Sequence, residues 1–317
     1  TFLIKGWIPT EDLRRSIDRL NKTSHNKIYI QFEPAKKHEK APIKQNNPKL
    51  VKPFQFFMDL YSMPTYREID PTFFVFLTFP IFFGIMPGDI GYGLVSLAIF
   101  WLLKRKMPKA GNLLNVLMVS SFVTVLFGFF FGEFFGFEIY HPVVSREHDM
   151  FTLMFIAVGI GVVHVNIGLI IGFANELKSH GFIHAVYAKA SWIILEVGLA
   201  LLVLSALGKI LITPWIGAAF LGASVLMLLK GEGFRGIIEI PSIFANIVSY
   251  VRLAAIGLTS VILALIINES AAEFFHKGGF FILAGVLILV IGHVMNILIG
   301  WLGSFLHSLR LHYVEFF

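Results

Sequence analysis

From Pro71 onward the chain is a succession of apolar stretches, several of them approaching the ~20 residues that a helix needs to cross a bilayer. No other feature constrains the fold as strongly. Eight spans are expected, at about residues 72–86, 89–103, 112–136, 151–176, 190–208, 213–230, 237–268 and 280–315. The first two are short and joined by Met86-Pro87-Gly88-Asp89, which reads as a tight hairpin. The last two run to about 32 and 36 residues, roughly 48–54 Å of helix, and must tilt or protrude from a ~30 Å hydrocarbon core. The expected fold is an all-α polytopic membrane protein with two long, tilted C-terminal helices. Composition agrees: 56% of the residues are hydrophobic and 15% charged, against roughly 25% charged in a soluble domain. Mean hydropathy is +0.76, which excludes disorder. With no Cys, a disulfide framework, Cys-ligated zinc and a thiol nucleophile are all ruled out.

The first 70 residues are different. They hold 13 Lys and Arg against 8 Asp and Glu, so most of the formal charge of +6 sits here. Residues 2–8 read as a strand, Thr10 as the N-cap of a short helix with Glu11 and Asp12 in its first turn, and the alternating 27–33 as a second strand. This pattern is expected of the end of a soluble α/β or α+β cytoplasmic domain, over residues 1–33. Residues 34–53 contain six Lys and four Pro and read as a linker. Residues 54–70 are amphipathic, as expected of an interfacial helix. The linker and interfacial helix thus occupy 34–70, and the membrane domain 71–317. The basic excess fits a cytoplasmic location, not nucleic-acid binding. The chain starts at Thr1 and ends within an apolar pattern, as expected of part of a longer protein.

With the N-terminus inside, the inner loops carry Lys104, Arg105, Lys106, Lys109, Lys178, Lys189, Lys230 and Arg235, and the outer loops Arg146, Lys209 and Lys277. This bias obeys the positive-inside rule and puts both termini in the cytoplasm. Two basic residues remain within spans. Arg252 lies about 15 residues into the seventh, where an Arg costs ~2.5–3.5 kcal/mol on insertion scales. It needs a partner, a ligand or a water-filled cavity; a structural ion pair is the bland alternative. Small residues share its face: Ala245 and Thr259 within about 20°, Ser249 and Ala255 within about 60°. On the eighth span Arg310 shares a face with Gly292, Asn296, Gly303 and His307, a stripe that also suits packing against a neighbouring helix.

Glu133, Glu196 and Glu239 are the intramembrane carboxylates, with Glu196 able to pair with a neighbouring Lys or His. Asp89 reads as the N-cap of the second span. The G-x-x-x-x-G-K-[ST] phosphate loop is absent, so no nucleotide-binding motif is recognised. His180 and His184 have a zinc-like i, i+4 spacing, but no third ligand is evident and the loop is basic. No metal or other cofactor is expected.

SYVRLAAIGLTS (249–260) and LHSLRLHYVEFF (306–317) resemble the membrane half of subunit a of V-type ATPases, called subunit I in archaeal and bacterial V/A-type enzymes. FFGIMPGDIGYG (82–93), FGFFFGEFFG (127–136), GEGFRGIIEIPSIFANIVSYVRLA (231–254) and KPFQFFMDLYSMPTYREIDPT (52–72) look like the same family. The resemblance implies a stator membrane subunit of a rotary ATPase, not itself a hydrolase. Arg252 and Arg310 would align with the family's essential arginine and its second arginine, facing a ring of c-, K- or L-type proteolipids. Glu239, His307, Asn296, Ser249, Thr259 and Ser260 would be half-channel candidates for H⁺ or Na⁺. The other implied partners are peripheral-stalk and further V/A-ATPase subunits, reached through the cytoplasmic domain, and membrane lipid. Ser260 stands where eukaryotic members usually have His, and Gly300 where they often have an acid. These departures favour a prokaryotic-type member in the cell membrane. The rival reading is a secondary transporter whose Arg252 binds an anionic substrate, although no internal repeat is visible.

Overall fold

The computed structural model describes residues 3–34, 42–60, 68–142, 144–208 and 214–316. Each expected span is helical over most of its length. α3 (Thr72–Ile85) and α4 (Ile90–Lys106) form the short hairpin, and α5 (Gly111–Phe131) packs on both. α6 (Met150–His180) is followed by a one-turn α7 (Phe182–Ala185), a π-helical turn at Val186–Ala190 and α8 (Ser191–Ala206). α9 (Pro214–Gly231) pairs with α8. α10 (Phe234–Ser249) and α11 (Val251–Lys277) make the long seventh element, and α12 (Phe281–Arg310) runs on into a π-helical turn at Leu311–Phe316. Among the described residues, six helical stretches are long and apolar enough to cross a membrane, the last two being Phe234–Lys277 and Phe281–Phe316. α3 and α4, with 14 and 17 residues, are shorter. Lys209, assigned above to an outer loop, lies outside the described residues.

Two boundaries differ from expectation. The third span stops at Phe131 and not 136, because Gly132 takes the left-handed conformation (φ 68°) and its N–H caps Gly128. The chain then forms a miniature hairpin, β1 (Glu133–Phe134) with β2 (Phe137–Glu138). The seventh span is two helices meeting at Tyr250, where Tyr250 N–H bonds Ile247 O and Leu253 N–H bonds Tyr250 O, a tightened 3₁₀-like step. The Tyr250 ring holds this joint: it is fully buried, edge-on to Phe82, with its hydroxyl 2.5 Å from His164 Nδ1. Gly161 of α6 admits the ring, since a Cβ there would lie 2.8 Å from it.

The soluble end is the larger correction. Residues 3–8 and 27–33 are not strands, and residue 2 lies outside the described residues. A strand needs a ladder, and neither segment pairs with another; Leu3, Ile4, Tyr29 and Phe32 are exposed. The helix between them forms, as a 3₁₀ turn at Thr10–Asp12 leading into α1 (Leu13–Thr23), but Thr10 lies inside the turn and Pro9 occupies the cap without a side-chain bond. Lys44 Nζ donates to Asp12 across 2.8 Å, and that bond holds the Asp12 carboxyl below its ordinary range. Of the amphipathic 54–70, Gln55–Leu60 is helix α2, with the Phe57 ring packed at a tilt against Phe79 and Phe305; residues 61–67 lie outside the described residues.

Among the described residues, the two largest of four apolar clusters hold the bundle. One joins α3, α6, α8, α9 and α10 around Tyr250, Leu195, Leu228 and Met86. The other gathers Phe54, Phe57, Phe79 and Phe83 beneath the end of α12. Together they clamp the α10–α11 joint against the last turns of α12, which is where the charged residues meet.

Candidate functional site

Arg252 is the second residue of α11 and Arg310 the last of α12. Both guanidiniums approach one carboxyl. Arg252 Nη1 and Arg310 Nε each lie 3.8 Å from Glu315 Oε1. The Glu315 side chain is 1% exposed, that of Arg252 19% and that of Arg310 58%. These are charge contacts, longer than hydrogen bonds. Arg252 Nη1 is buried and has no hydrogen-bond partner among the described residues, and the same is true of Glu315 Oε2. With all three groups ionised the cluster carries a net +1. Ser249 is within reach of the same carboxyl, and His307 lies in the field of both arginines.

Glu315 was not singled out in the sequence. In an α-helix, residues five apart point about 140° from each other, so Arg310 and Glu315 would not share a face. The π-helical turn at Leu311–Phe316 changes that, because its repeat brings i and i+5 close together. A carboxylate five residues beyond an intramembrane Arg was therefore the available signal.

The small-residue face of Arg252 is open. Ala245, Ala255 and Thr259 are exposed, and Ser249 and Thr259 turn their hydroxyls back to Ala245 O and Ala255 O. Among the described residues, no helix fills the face. Gly292 on α12 behaves differently: a Cβ there would lie 2.8 Å from Ile267, so that glycine serves the contact with α11, whereas Gly303 has only Ile256 at 3.9 Å.

Ser260 and Asn296 form a second polar locus, about 12 Å along α11 from Arg252. Asn296 Nδ2 donates to the Tyr92 hydroxyl and to Ser260 O, each at 2.9 Å. Tyr92 Oη lies 2.8 Å from His293 Nδ1, and His293 Nε2 lies 3.0 Å from Asn268 Oδ1. Asp89 anchors the base of this seam. Its Oδ1 caps α4 at Tyr92 N–H, as expected, and its Oδ2 accepts from Gly136 N–H. Tyr92, His293 and Asn268 escaped the sequence reading because an aromatic, a His and an Asn on three helices show no common spacing.

The other carboxylates sit differently from expectation. Glu239 is half-exposed and paired with Arg235 one turn before it, at 2.7 Å, roughly 20 Å from Arg252. Glu196 finds Asn166 Nδ2 at 2.5 Å, not a Lys or His. Glu133 lies beyond α5 and takes a bidentate pair from Arg146, whose Nε is 2.9 Å from Oε1. Arg146, counted above as an outer-loop charge, is 2% exposed and also donates to Met86 O, Pro87 O and Gly88 O. It locks the α3–α4 hairpin. His180 and His184 do have a neighbouring carboxylate, Glu176.

Residues 1–159 match the family described as V-type ATPase 116kDa subunit family. The chain belongs to that family. Among curated relatives it is 32% identical to A-type ATP synthase subunit I of Methanothermobacter thermautotrophicus, covering 100% of this chain and 49% of that protein. The namesake from Archaeoglobus fulgidus is also 32% identical, with 100% and 56% covered. V-type ATP synthase subunit I of Borreliella burgdorferi is 28% identical, over 82% of this chain and 48% of that one. The chain spans about half the length of the relatives it matches. Family members thus include proteins named as subunits of archaeal and bacterial ATP synthases, in keeping with a multi-helix membrane chain.

Proposed function

We propose that this chain is the ion-conducting stator part of a rotary V/A-type ATPase, working against a rotating ring of proteolipids. One observation carries the reading: two guanidiniums share a single carboxyl, and Arg252 stands beside an open face of small residues with Nη1 unbonded. The surplus positive charge suits a carboxylate on a passing helix, and Ala245, Ala255 and Thr259 leave room for close approach. A ring carboxylate that is neutral, protonated or ion-bound, can face lipid; an ionised one cannot. Beside Arg252 the ionised form is favoured, so the site empties there. A guanidinium does not deprotonate, whereas a Lys could lose its charge when desolvated.

Two aqueous half-channels would load and unload the ring from opposite sides. The seam of Ser260, Asn296, Tyr92, His293 and Asn268 is one approach. His307, Ser249 and the end of α12, with Glu239 further along, mark the other. In this reading residues 1–33 end a cytoplasmic domain that meets peripheral-stalk and other subunits, residues 34–70 lead into the membrane, and both termini are inside. The subunit binds no nucleotide; the ion is H⁺ or Na⁺, and the membrane that of a prokaryotic cell. Among the described residues, no feature favours the secondary-transporter alternative.

The test is ATP-driven ion uptake by vesicles holding the reconstituted complex. Arg252→Gln is expected to assemble and to lose uptake, and Arg252→Lys to assemble and pump poorly. Near wild-type uptake by fully assembled Arg252→Gln would overturn the proposal.

A further inference from the structure

The corner between α6 and α7 holds a cluster that ion translocation does not use. Gly181 breaks the helix with φ 92° and ψ 173°, a conformation that side-chain-bearing residues resist. In an unbroken helix residue 184 would lie about 12 Å along the axis from residue 176. The break folds it back. Glu176 Oε1 is 2.9 Å from His180 Nδ1 and 2.7 Å from His184 Nδ1. The two imidazoles are 5.1 Å apart at their centroids, inclined by 38°. All three donor atoms lie within 4.8 Å of one another. Phe182 meets Phe173 edge-on and braces the corner. Lys178, two residues beyond Glu176, points to the other side of α6.

We propose that Glu176, His180 and His184 bind a divalent transition metal, with zinc the best match. Two imidazole nitrogens and one carboxylate oxygen are the donor set of three-ligand zinc sites, which keep a fourth position for water. Tetrahedral donors at a metal–ligand distance of ~2.1 Å stand about 3.4 Å apart, so the cluster needs only a slight opening to admit the ion. Each imidazole would turn an Nδ1 lone pair to the metal and carry its proton on Nε2. Calcium and magnesium are poor fits, since they favour six or more oxygen ligands. The half-exposed histidines leave the site accessible from water, and the metal would staple the end of α6 to the segment leading into α8.

The test uses the intact purified complex in detergent, stripped with chelator and titrated with zinc chloride against a chromophoric indicator. Wild type is expected to bind one more zinc per copy of this subunit than His180→Asn/His184→Asn, with Glu176→Gln binding at least tenfold more weakly. Equal zinc binding by wild type and the double variant would overturn the proposal. A second measurement needs no variant. Cu²⁺ added at one equivalent should give an electron paramagnetic resonance signal split by two nitrogens, and a signal from oxygen ligands alone would overturn it as well.

Discussion

Two arginines, one fully buried and one partly exposed, divide this molecule. Arg146 is satisfied: Glu133 takes it bidentately, three hairpin carbonyls accept from it, and the Phe131 ring lies 4.9 Å from its centre. Arg252 has a carboxylate at 3.8 Å shared with Arg310, and an Nη1 that bonds to nothing among the described residues. The first has spent its donors on its own chain. The second has kept one. An unpaired guanidinium nitrogen away from water is costly, and it is this free donor that the proposed role of Arg252 in transport would use.

The comparison breaks most visibly at Arg146. Replacing it with Met leaves Glu133 and three carbonyls buried without a donor, a loss of about 3–5 kcal/mol. The expected outcome is a subunit missing from the membrane fraction on immunoblots, partly restored by adding Glu133→Leu. If Arg146→Met accumulates and assembles normally, the contrast between the two arginines is false. Glu315→Gln comes next. It keeps the shape of the site and removes the charge between two guanidiniums, so assembly should hold while uptake falls roughly tenfold, about 1.4 kcal/mol. Tyr92→Phe deletes the hydroxyl that joins His293 to Asn296. Two hydrogen bonds are lost, at about 0.5–1.5 kcal/mol each, read as a lowered melting temperature with uptake reduced less than in Glu315→Gln. The smallest effect belongs to Glu239→Gln, whose pair with the exposed Arg235 is screened by solvent and contributes little. Uptake should drop by less than about threefold, and a total loss would move Glu239 into the central machinery.

The sequence was most legible where composition alone decides. Lipid selects apolar helices of set length, and each of the eight expected stretches is helical. Boundaries failed where one residue overrides a run: Gly132 ends α5 early, and the packed Tyr250 ring divides the seventh span. Residues 3–8 and the alternating 27–33 read as strands, but a strand-like pattern describes a face and not a partner. At the site, Arg252 and Arg310 stood out because charge is expensive in a membrane. Glu315 stayed hidden because its spacing to Arg310 pairs them only in a π-helical turn. Arg146 was misjudged because a charge in a loop reads as solvated until the loop is seen folding back on the hairpin. Glu176 escaped for a similar reason: it lies two turns from His184 on paper and one contact away after the Gly181 break.

The central claim is that the charge of Arg252 is used in transport, not in holding the chain together. Its most direct measurement compares Arg252→Gln with wild type in reconstituted vesicles, recording ATP-driven ion uptake together with subunit content. The account predicts full assembly and no coupled uptake. Full assembly with uptake near the wild-type rate would contradict it, as would a failure to assemble like that expected of Arg146→Met, which would make Arg252 a structural arginine too.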